Sequence, residues 1–150
     1  MNNVYSSDFI HLVWSTKNRI HFIESAYKAE LYAYILGIAK KRGDTVIAIG
    51  GMQDHVHILV SLKPTTAVAQ FVCAIKSSSS KFMRQFDIET EAFAWQTGYG
   101  RFSVSASMLD VVIMYIRDQE KNHERHSFEE EFFGLLEKHN IAYDPVEALE

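Results

Sequence analysis

The chain of 150 residues contains a single cysteine, Cys73. One cysteine cannot form an internal disulfide or a cysteine-based zinc cluster, which is typical of proteins from a reducing compartment. No apolar run approaches the roughly 18 residues of a membrane span, and residues 1–5 lack the charged and apolar regions of a signal peptide. We therefore expect a cytoplasmic protein without a membrane-embedded segment.

The chain also lacks an excess of positive charge, since its formal net charge is −4. The two signs are unevenly distributed. Residues 1–86 carry ten Lys and Arg against five Asp and Glu, whereas residues 87–150 carry five against fourteen. The basic part can contact phosphates, and the acidic remainder is expected to avoid them. We interpret the acidic run 129–131 as part of a solvated face.

The composition, 47% hydrophobic and 23% charged, is that of a globular domain. A chain of this length can bury about two thirds of its unfolded surface, so it needs neither a disulfide nor a structural metal for stability. Linker-like segments and internal repeats are absent from the sequence. We predict a single domain spanning residues 1–150.

The hydrophobic periodicity changes along the chain between the patterns typical of strands and of helices. Strands are predicted over residues 8–16, 45–49, 55–62 and 101–106, with a turn over residues 50–54. Helices are predicted over residues 24–42, within 65–86, from a cap at Ser107 or Asp110 to Asn122, and from a capping box at Ser127 and Glu130 to His139. The order predicts an α+β fold of the ferredoxin-like (βαββαβ) type, in which an antiparallel sheet carries appended C-terminal helices.

Two histidines, His55 and His57, lie two residues apart on the third predicted strand. The two-residue period of a strand places both imidazoles on one face and Val56 and Ile58 on the other. Neighbouring imidazoles can share a metal ion, but the ion needs further ligands. The alternative is an ordinary strand that carries two histidines without binding a metal.

Tyr115 and Gln119 are four residues apart on a predicted helix and therefore share one face. A separate apolar stripe on this helix consists of Leu109, Val112, Ile113 and Ile116. A tyrosine nucleophile makes phosphoryl transfer reversible, because its phenolate leaves as readily as it attacks. Its pKa of about 10 requires help from a metal ion or a neighbouring cation. The alternative is that Tyr115 only packs.

Three ordered motifs connect these residues to a known family. They are MQDHVHILV at residues 52–60, WQTGYGRFSVS at residues 95–105 and YIRDQ at residues 115–119. Together they resemble the IS200/IS605-type single-tyrosine (Y1) transposases, including the REP-associated tyrosine transposases. The histidine motif alone is weak, whereas the ordered set is specific, and the resemblance spans nearly the whole chain.

This resemblance implies a ferredoxin-like HUH endonuclease. In such an enzyme His55, His57 and Gln119 bind Mg²⁺ or Mn²⁺, and Tyr115 is the catalytic nucleophile that forms a 5′-phosphotyrosine intermediate. The implied substrate is single-stranded DNA with a hairpin at the ends of a mobile element. The resemblance also implies a homodimer whose active sites are shared between subunits, and no nucleotide cofactor.

Basic and aromatic side chains elsewhere are possible DNA contacts. The predicted phosphate contacts are Lys17, Arg19, Lys76, Lys81 and Arg84, and the predicted base-stacking residues are Trp95, Tyr99 and Phe102. For each cation, a solvated surface position is an equally good interpretation. His123 and His126 follow Gln119 closely, so one alternative is that they approach the site; we favour the interpretation that they are surface histidines.

Other functions fit parts of the same sequence. A domesticated REP-associated nuclease would keep the whole site, and the genomic surroundings of its gene would distinguish it from a mobile transposase. A non-catalytic ferredoxin-like module that binds a metal or nucleic acid would not need Tyr115. The two aromatic sheet motifs of an RNA-recognition domain are absent from the sequence.

Overall fold

A computed structural model of the protein describes residues 3–86 and 92–150, so the first two residues of the segment examined for a signal peptide lie outside it. Its centre is a four-stranded antiparallel sheet. The strands are β1 (Phe9–Ser15), β2 (Thr45–Met52), β3 (His55–Ser61) and β4 (Gly100–Val104). The helices are α1 (Ser25–Arg42), α2 (Val68–Met83), α3 (Leu109–Arg117), α4 (Gln119–Asn122) and α5 (Phe128–Lys138).

The strand order is β2-β3-β1-β4, which confirms the predicted α+β, ferredoxin-like arrangement. β1 lies between β3 and β4 and pairs with both. In its register Val13 faces His57, and His11 faces Leu59 on one side and Phe102 on the other. Directly paired residues share a sheet face, so these side chains all lie on the same side.

One face of the sheet is covered by α1 and α2. The strand residues Leu12, Trp14 and Ile58 are fully buried there against helix residues such as Ile35 and Phe71. The alternation of β1 and β3 thus separates the main apolar core from the two histidines.

The opposite face is covered by the C-terminal helices in two patches. Val13 and Phe102 pack against Phe128 and Phe132 of α5. The second patch, beside β2, contains Ala48, Leu59 and Ile116. The sheet therefore lies between two helical layers, and His55 and His57 lie on the C-terminal side. None of the helices in the described part of the chain is both long and apolar enough to span a bilayer.

The predicted hairpin over residues 45–62 is present, but its turn is shorter than the predicted residues 50–54. β2 continues to Met52, and Gly50 pairs with His57 inside the ladder. The glycine at position 50 reflects close packing, because a Cβ there would overlap the carbonyl oxygen of Ile116. Only Gln53 and Asp54 connect the two strands.

The single helix predicted to end at Asn122 is divided. Asp118 has φ −93° and ψ 25°, outside the helical region, and separates α3 from α4. Aspartate is a poor residue for a helix interior, which favours the break. The predicted cap at Ser107 or Asp110 is also wrong, since the N-cap of α3 is Met108. The cap at Ser127 is confirmed, because its hydroxyl accepts from Glu130 N at 3.2 Å.

Candidate active site

His55 and His57 lie under α4 and α5, and both side chains are fully buried. His55 Nε2 is 2.9 Å from Gln119 Oε1 and 3.4 Å from Glu131 Oε1. His57 Nε2 donates to Glu131 Oε1 at 2.9 Å. The two Nε2 atoms therefore converge on one point, which Gln119 and Glu131 also reach.

Glu131 corrects the prediction that the acidic run is solvated. Its side chain is only 5% exposed, whereas that of Glu130 is 64% exposed and that of Glu129 pairs with Arg19 at 3.3 Å. A sequence signal for this existed. Glu131 stands three residues after Phe128, which is buried on the inner side of α5, and residues three apart share a helix face.

His123 also differs from its interpretation as a surface histidine. Its side chain is 8% exposed, and Nε2 lies 3.0 Å from Gln119 Oε1 and 3.2 Å from Glu131 Oε1. His126 is 63% exposed, as expected. His123 therefore belongs to the buried cluster.

Tyr115 extends from α3 into the same cluster. Its hydroxyl donates to Glu131 Oε2, and its ring lies edge-on to His57 with 5.6 Å between ring centroids. Gln119 Nε2 is 3.2 Å from Glu131 Oε2. All four residues that the sequence singled out, His55, His57, Tyr115 and Gln119, are thus in one place within a single chain.

The groups of the cluster shift one another's ionisation. Burial opposes ionisation of Glu131, but hydrogen bonds from His123 and His57 outweigh it and hold the pKa of this carboxyl well below its usual range. Burial, and after it the charge of Glu131, raises the pKa of Tyr115. Burial lowers the pKa of His57. A reactive, ionised Tyr115 therefore requires a cation near its oxygen.

The donor set of the cluster fits a divalent cation. Ligand atoms of His55, His57 and Glu131 all lie within 4.8 Å of one another, and both imidazoles are buried. Gln119 adds an amide oxygen 2.9 Å from His55. Imidazole nitrogens combined with carboxylate and amide oxygens suit ions such as Mn²⁺. Mg²⁺ also accepts such oxygen ligands.

Each histidine has a partner on its outer nitrogen. His55 Nδ1 donates to Asp54 Oδ1 at 2.7 Å. His57 Nδ1 lies 2.8 Å from Nε2 of His11, a buried residue of β1. Such partners orient an imidazole and determine which nitrogen is available to a ligand.

Two of the predicted DNA contacts are occupied within the protein. Lys76 Nζ donates to the carbonyl oxygens of Gln96 at 2.8 Å and Gly98 at 2.6 Å. Trp95 is buried, and its Nε1 donates to Ser79 Oγ at 2.9 Å. Both Trp95 and Lys76 belong to the layer of α1 and α2, across the sheet from the histidines. Trp95 Nε1 and Lys76 Nζ are thus engaged in contacts within the protein.

The remaining predicted contacts are more accessible. Lys17, Lys81 and Arg84 are exposed, although Arg84 Nε donates to Phe93 O. Lys81 lies on α2, on the side away from the histidines. Arg19 pairs with Glu129. Tyr99 is half-buried against the main core.

Phe102 is 2% exposed and borders a cleft beside Tyr115. The cleft has a volume of about 710 Å³ and lies between β4, α3 and α5. His139 lies against Phe102, with 4.5 Å between ring centroids. Solvent therefore reaches the buried cluster through this cleft, next to the hydroxyl of Tyr115.

Comparison with known proteins gives consistent matches. The family model described as "Transposase IS200 like" matches residues 4–119. The ISDra2 transposase TnpA of Deinococcus radiodurans is 29% identical over 121 residues, covering 77% of this chain and 86% of that protein.

Solved structures of transposases resemble this chain as well. A putative transposase from Deinococcus radiodurans has a TM-score of 0.66 at 25% identity, covering 79% of this chain and 95% of that one. A REP-associated tyrosine transposase bound to a REP hairpin has a TM-score of 0.62 at 13% identity, covering 82% and 73%, and so shares the fold.

Proposed function

Because this chain belongs to the family of IS200-like transposases, we propose that it cleaves and rejoins single-stranded DNA at the hairpin-containing ends of a mobile element. One observation carries the proposal: a tyrosine hydroxyl, two histidines and a glutamine meet in a single buried cluster beside an open cleft. Burying each of these polar groups costs free energy. Their convergence is therefore not expected in a core that is packed only for stability.

His55, His57, Gln119 and Glu131 would hold Mg²⁺ or Mn²⁺. When bound, the ion would polarise the scissile phosphate and offset the negative charge that develops on it. Glu131 extends the ligand set implied by the sequence, and its carboxylate balances part of the ion's charge. Asp54 holds His55 with its Nε2 towards the centre of the cluster.

Tyr115 is the proposed catalytic nucleophile. Its oxygen would attack the phosphorus while the bond from phosphorus to the 3′ oxygen breaks, which leaves a 5′-phosphotyrosine and a free 3′-hydroxyl. The phenolic proton is lost and the departing 3′ oxygen gains one, so the step is balanced. Attack by another 3′-hydroxyl on the phosphotyrosine then rejoins the strand without hydrolysis.

The proposed partner is a DNA hairpin. A structural neighbour of this fold is a transposase bound to a REP hairpin, which supports the same substrate class here. Among the predicted phosphate contacts, Lys17 is exposed and remains available, whereas the exposed Lys81 lies on α2, away from the histidines. The net charge of −4 argues for recognition through a shaped site with modest nonspecific affinity.

We also propose a homodimer with shared active sites. β2 and β4 are the edge strands of the sheet, and such edges pair readily with a second copy. The outer side of α3 presents Val111 and Met114, which are 57% and 59% exposed. In the single chain α3 packs on its own sheet, and a partner's α3 would satisfy the same contacts. Helices on both sheet faces support one domain over residues 1–150.

The decisive test is a trapping experiment with Tyr115→Phe. Labelled single-stranded hairpins from the flanks of the gene are incubated with Mn²⁺ and protein, and the modified peptide is mapped by mass spectrometry. We expect the parent to carry DNA on Tyr115 and the variant to carry none, because phenylalanine keeps the ring and removes only the nucleophile. The lost hydrogen bond to a charged acceptor is worth about 1.5–3 kcal/mol, so folding is checked by circular dichroism.

Tyr34→Phe, on the exposed side of α1, is the matched control and should form the adduct as the parent does. An adduct on a residue other than Tyr115, or undiminished cleavage by Tyr115→Phe, would contradict the mechanism. Hairpin binding without any adduct in the parent would instead indicate a non-catalytic module. A normal adduct in a protein whose gene lacks element ends would indicate a domesticated nuclease.

A further inference from the structure

His11 is a buried polar residue that the proposed reaction does not use. It lies on β1, on the same sheet face as His57, and is 4% exposed. Its Nε2 is 2.8 Å from His57 Nδ1, and the two rings are stacked with 5.1 Å between centroids and 26° between planes. Of the other positions on this side of β1, Phe9 and Val13 are apolar, and the buried Ser15 at the strand end donates its hydroxyl to Thr16 O at 2.9 Å. A polar side chain at position 11 therefore calls for a specific partner.

The tautomer of His57 depends on this contact. Ionised Glu131 can only accept, so His57 Nε2 carries the hydrogen in this structure, and the bare Nδ1 accepts from His11 Nε2. Ligation through Nε2 requires the opposite tautomer, with the hydrogen on Nδ1 donated to His11. An imidazole can serve in both states, because it exchanges donor for acceptor by changing its own tautomer.

We propose that His11 is a positioning residue that orients His57 and sets its tautomer for metal binding, an inference that rests on the metal site proposed above. The two histidine ligands are supported differently. Asp54 is an acceptor and holds His55 in one tautomer, whereas His11 lets His57 alternate between donating to Glu131 and binding an ion. His57 is then the ligand whose tautomer changes when the site is filled.

Mn²⁺ affinity, measured by isothermal titration calorimetry, tests the inference without relying on activity. His11→Phe keeps a ring of similar size and removes both nitrogens. We expect it to bind Mn²⁺ roughly 10- to 100-fold more weakly, the usual effect of losing such a partner. His11→Gln restores a group that both donates and accepts, and we expect affinity within a few-fold of the parent. Ile10→Val alters the same strand on its other face and should bind normally.

A second measurement uses the parent alone and so does not depend on the folding of any variant. Histidine ¹⁵N–¹H correlation spectra report which ring nitrogen carries the hydrogen. We expect His57 to move from the Nε2–H to the Nδ1–H tautomer as Mg²⁺ is added, with His11 moving in the complementary direction. A His57 tautomer that does not change would overturn the inference.

Unchanged Mn²⁺ affinity in folded His11→Phe would also overturn it, as would an equal loss of affinity in Ile10→Val. A parent that binds neither ion would contradict the proposed metal site itself. If instead the parent and the His11 variants bind Mn²⁺ equally well, the proposed metal site stands and only the role of His11 is refuted.

Discussion

Glu131 shows how much of the site depends on one carboxylate. It accepts from Tyr115 on one oxygen and lies within 3.4 Å of three histidines on the other. A buried carboxylate without partners would be costly, and these contacts supply its compensation. The same contacts suppress the reactivity of Tyr115, since the negative charge helps to raise the pKa of the phenol. A cation that neutralises Glu131 would therefore also favour ionisation of Tyr115, the proposed nucleophile.

Glu131→Gln tests this role at constant shape. Loss of the carboxylate charge should weaken Mn²⁺ binding by at least about 10-fold, because an amide is a poorer partner for a divalent ion. The measurement is calorimetric titration of parent and variant. Glu130→Gln is the matched control, since its side chain is exposed and should not affect binding. Equal affinities for Glu131→Gln and the parent would show that the carboxylate is not a ligand.

At the scale of elements, the position of α3 depends on the absence of a side chain at Gly50. Gly50 of β2 lies against the backbone of Ile116, and a Cβ there would overlap the carbonyl oxygen. Ile116 itself is fully buried between Ala48 and Leu59. The position of Tyr115 over the histidines therefore depends on this close approach of helix and strand.

Gly50→Ala should displace α3. Overpacking at a rigid backbone contact typically costs about 1–3 kcal/mol of unfolding free energy, measured by urea denaturation. Adduct formation at Tyr115 should fall more steeply than stability does, because the phenol moves away from the histidines. If α3 comes from the partner subunit, the same change should weaken the dimer.

Gly37→Ala supplies the control. Gly37 is exposed within α1, and no atom lies within 4 Å of where its Cβ would be. Alanine there should stabilise the protein by about 0.4–1 kcal/mol and leave the adduct unchanged. A Gly50→Ala variant that behaves like Gly37→Ala would show that α3 does not dock as described.

Sequence patterns predicted the elements and the face of β3 that carries the histidines, because strand and helix periods are local properties. The extent of β2 was missed because Gly50 reads locally as a turn residue, and only the approach of α3 explains it. Glu131 and His123 were missed for a related reason. Helical spacing places Glu131 on the same face as Phe128, but only the crossing of α5 over the sheet brings that face, and with it His123, to the histidine pair.

The predicted DNA contacts also show that sequence patterns do not determine which side chains face solvent. Lys76 and Trp95 look like exposed binding residues in the sequence. In the fold, three carbonyl oxygens accept from Lys76 Nζ, and Trp95 packs edge-on against Trp14. Whether a cation or an aromatic ring faces solvent is determined by segments far away in the sequence, here residues 96–98.

For the whole molecule, the proposed dimer gives a further prediction. We expect light scattering at tens of micromolar protein to report twice the chain mass of 17.2 kDa. Met114→Glu places a charge on the exposed side of α3 and should shift the equilibrium towards monomer, whereas Leu36→Glu, on the exposed side of α1, should not. A fully active monomer would contradict shared active sites.

The order of the site residues along the chain also determines the order in which they are synthesised. Proteins are made from the N-terminus, and segments fold as they emerge. The fourth strand of the sheet ends at Val104, before Tyr115, Gln119 and Glu131 have been added. All four strands and the histidine pair are thus synthesised before the proposed nucleophile. If Tyr115 is the nucleophile, as proposed, chains interrupted before residue 115 form no DNA adduct.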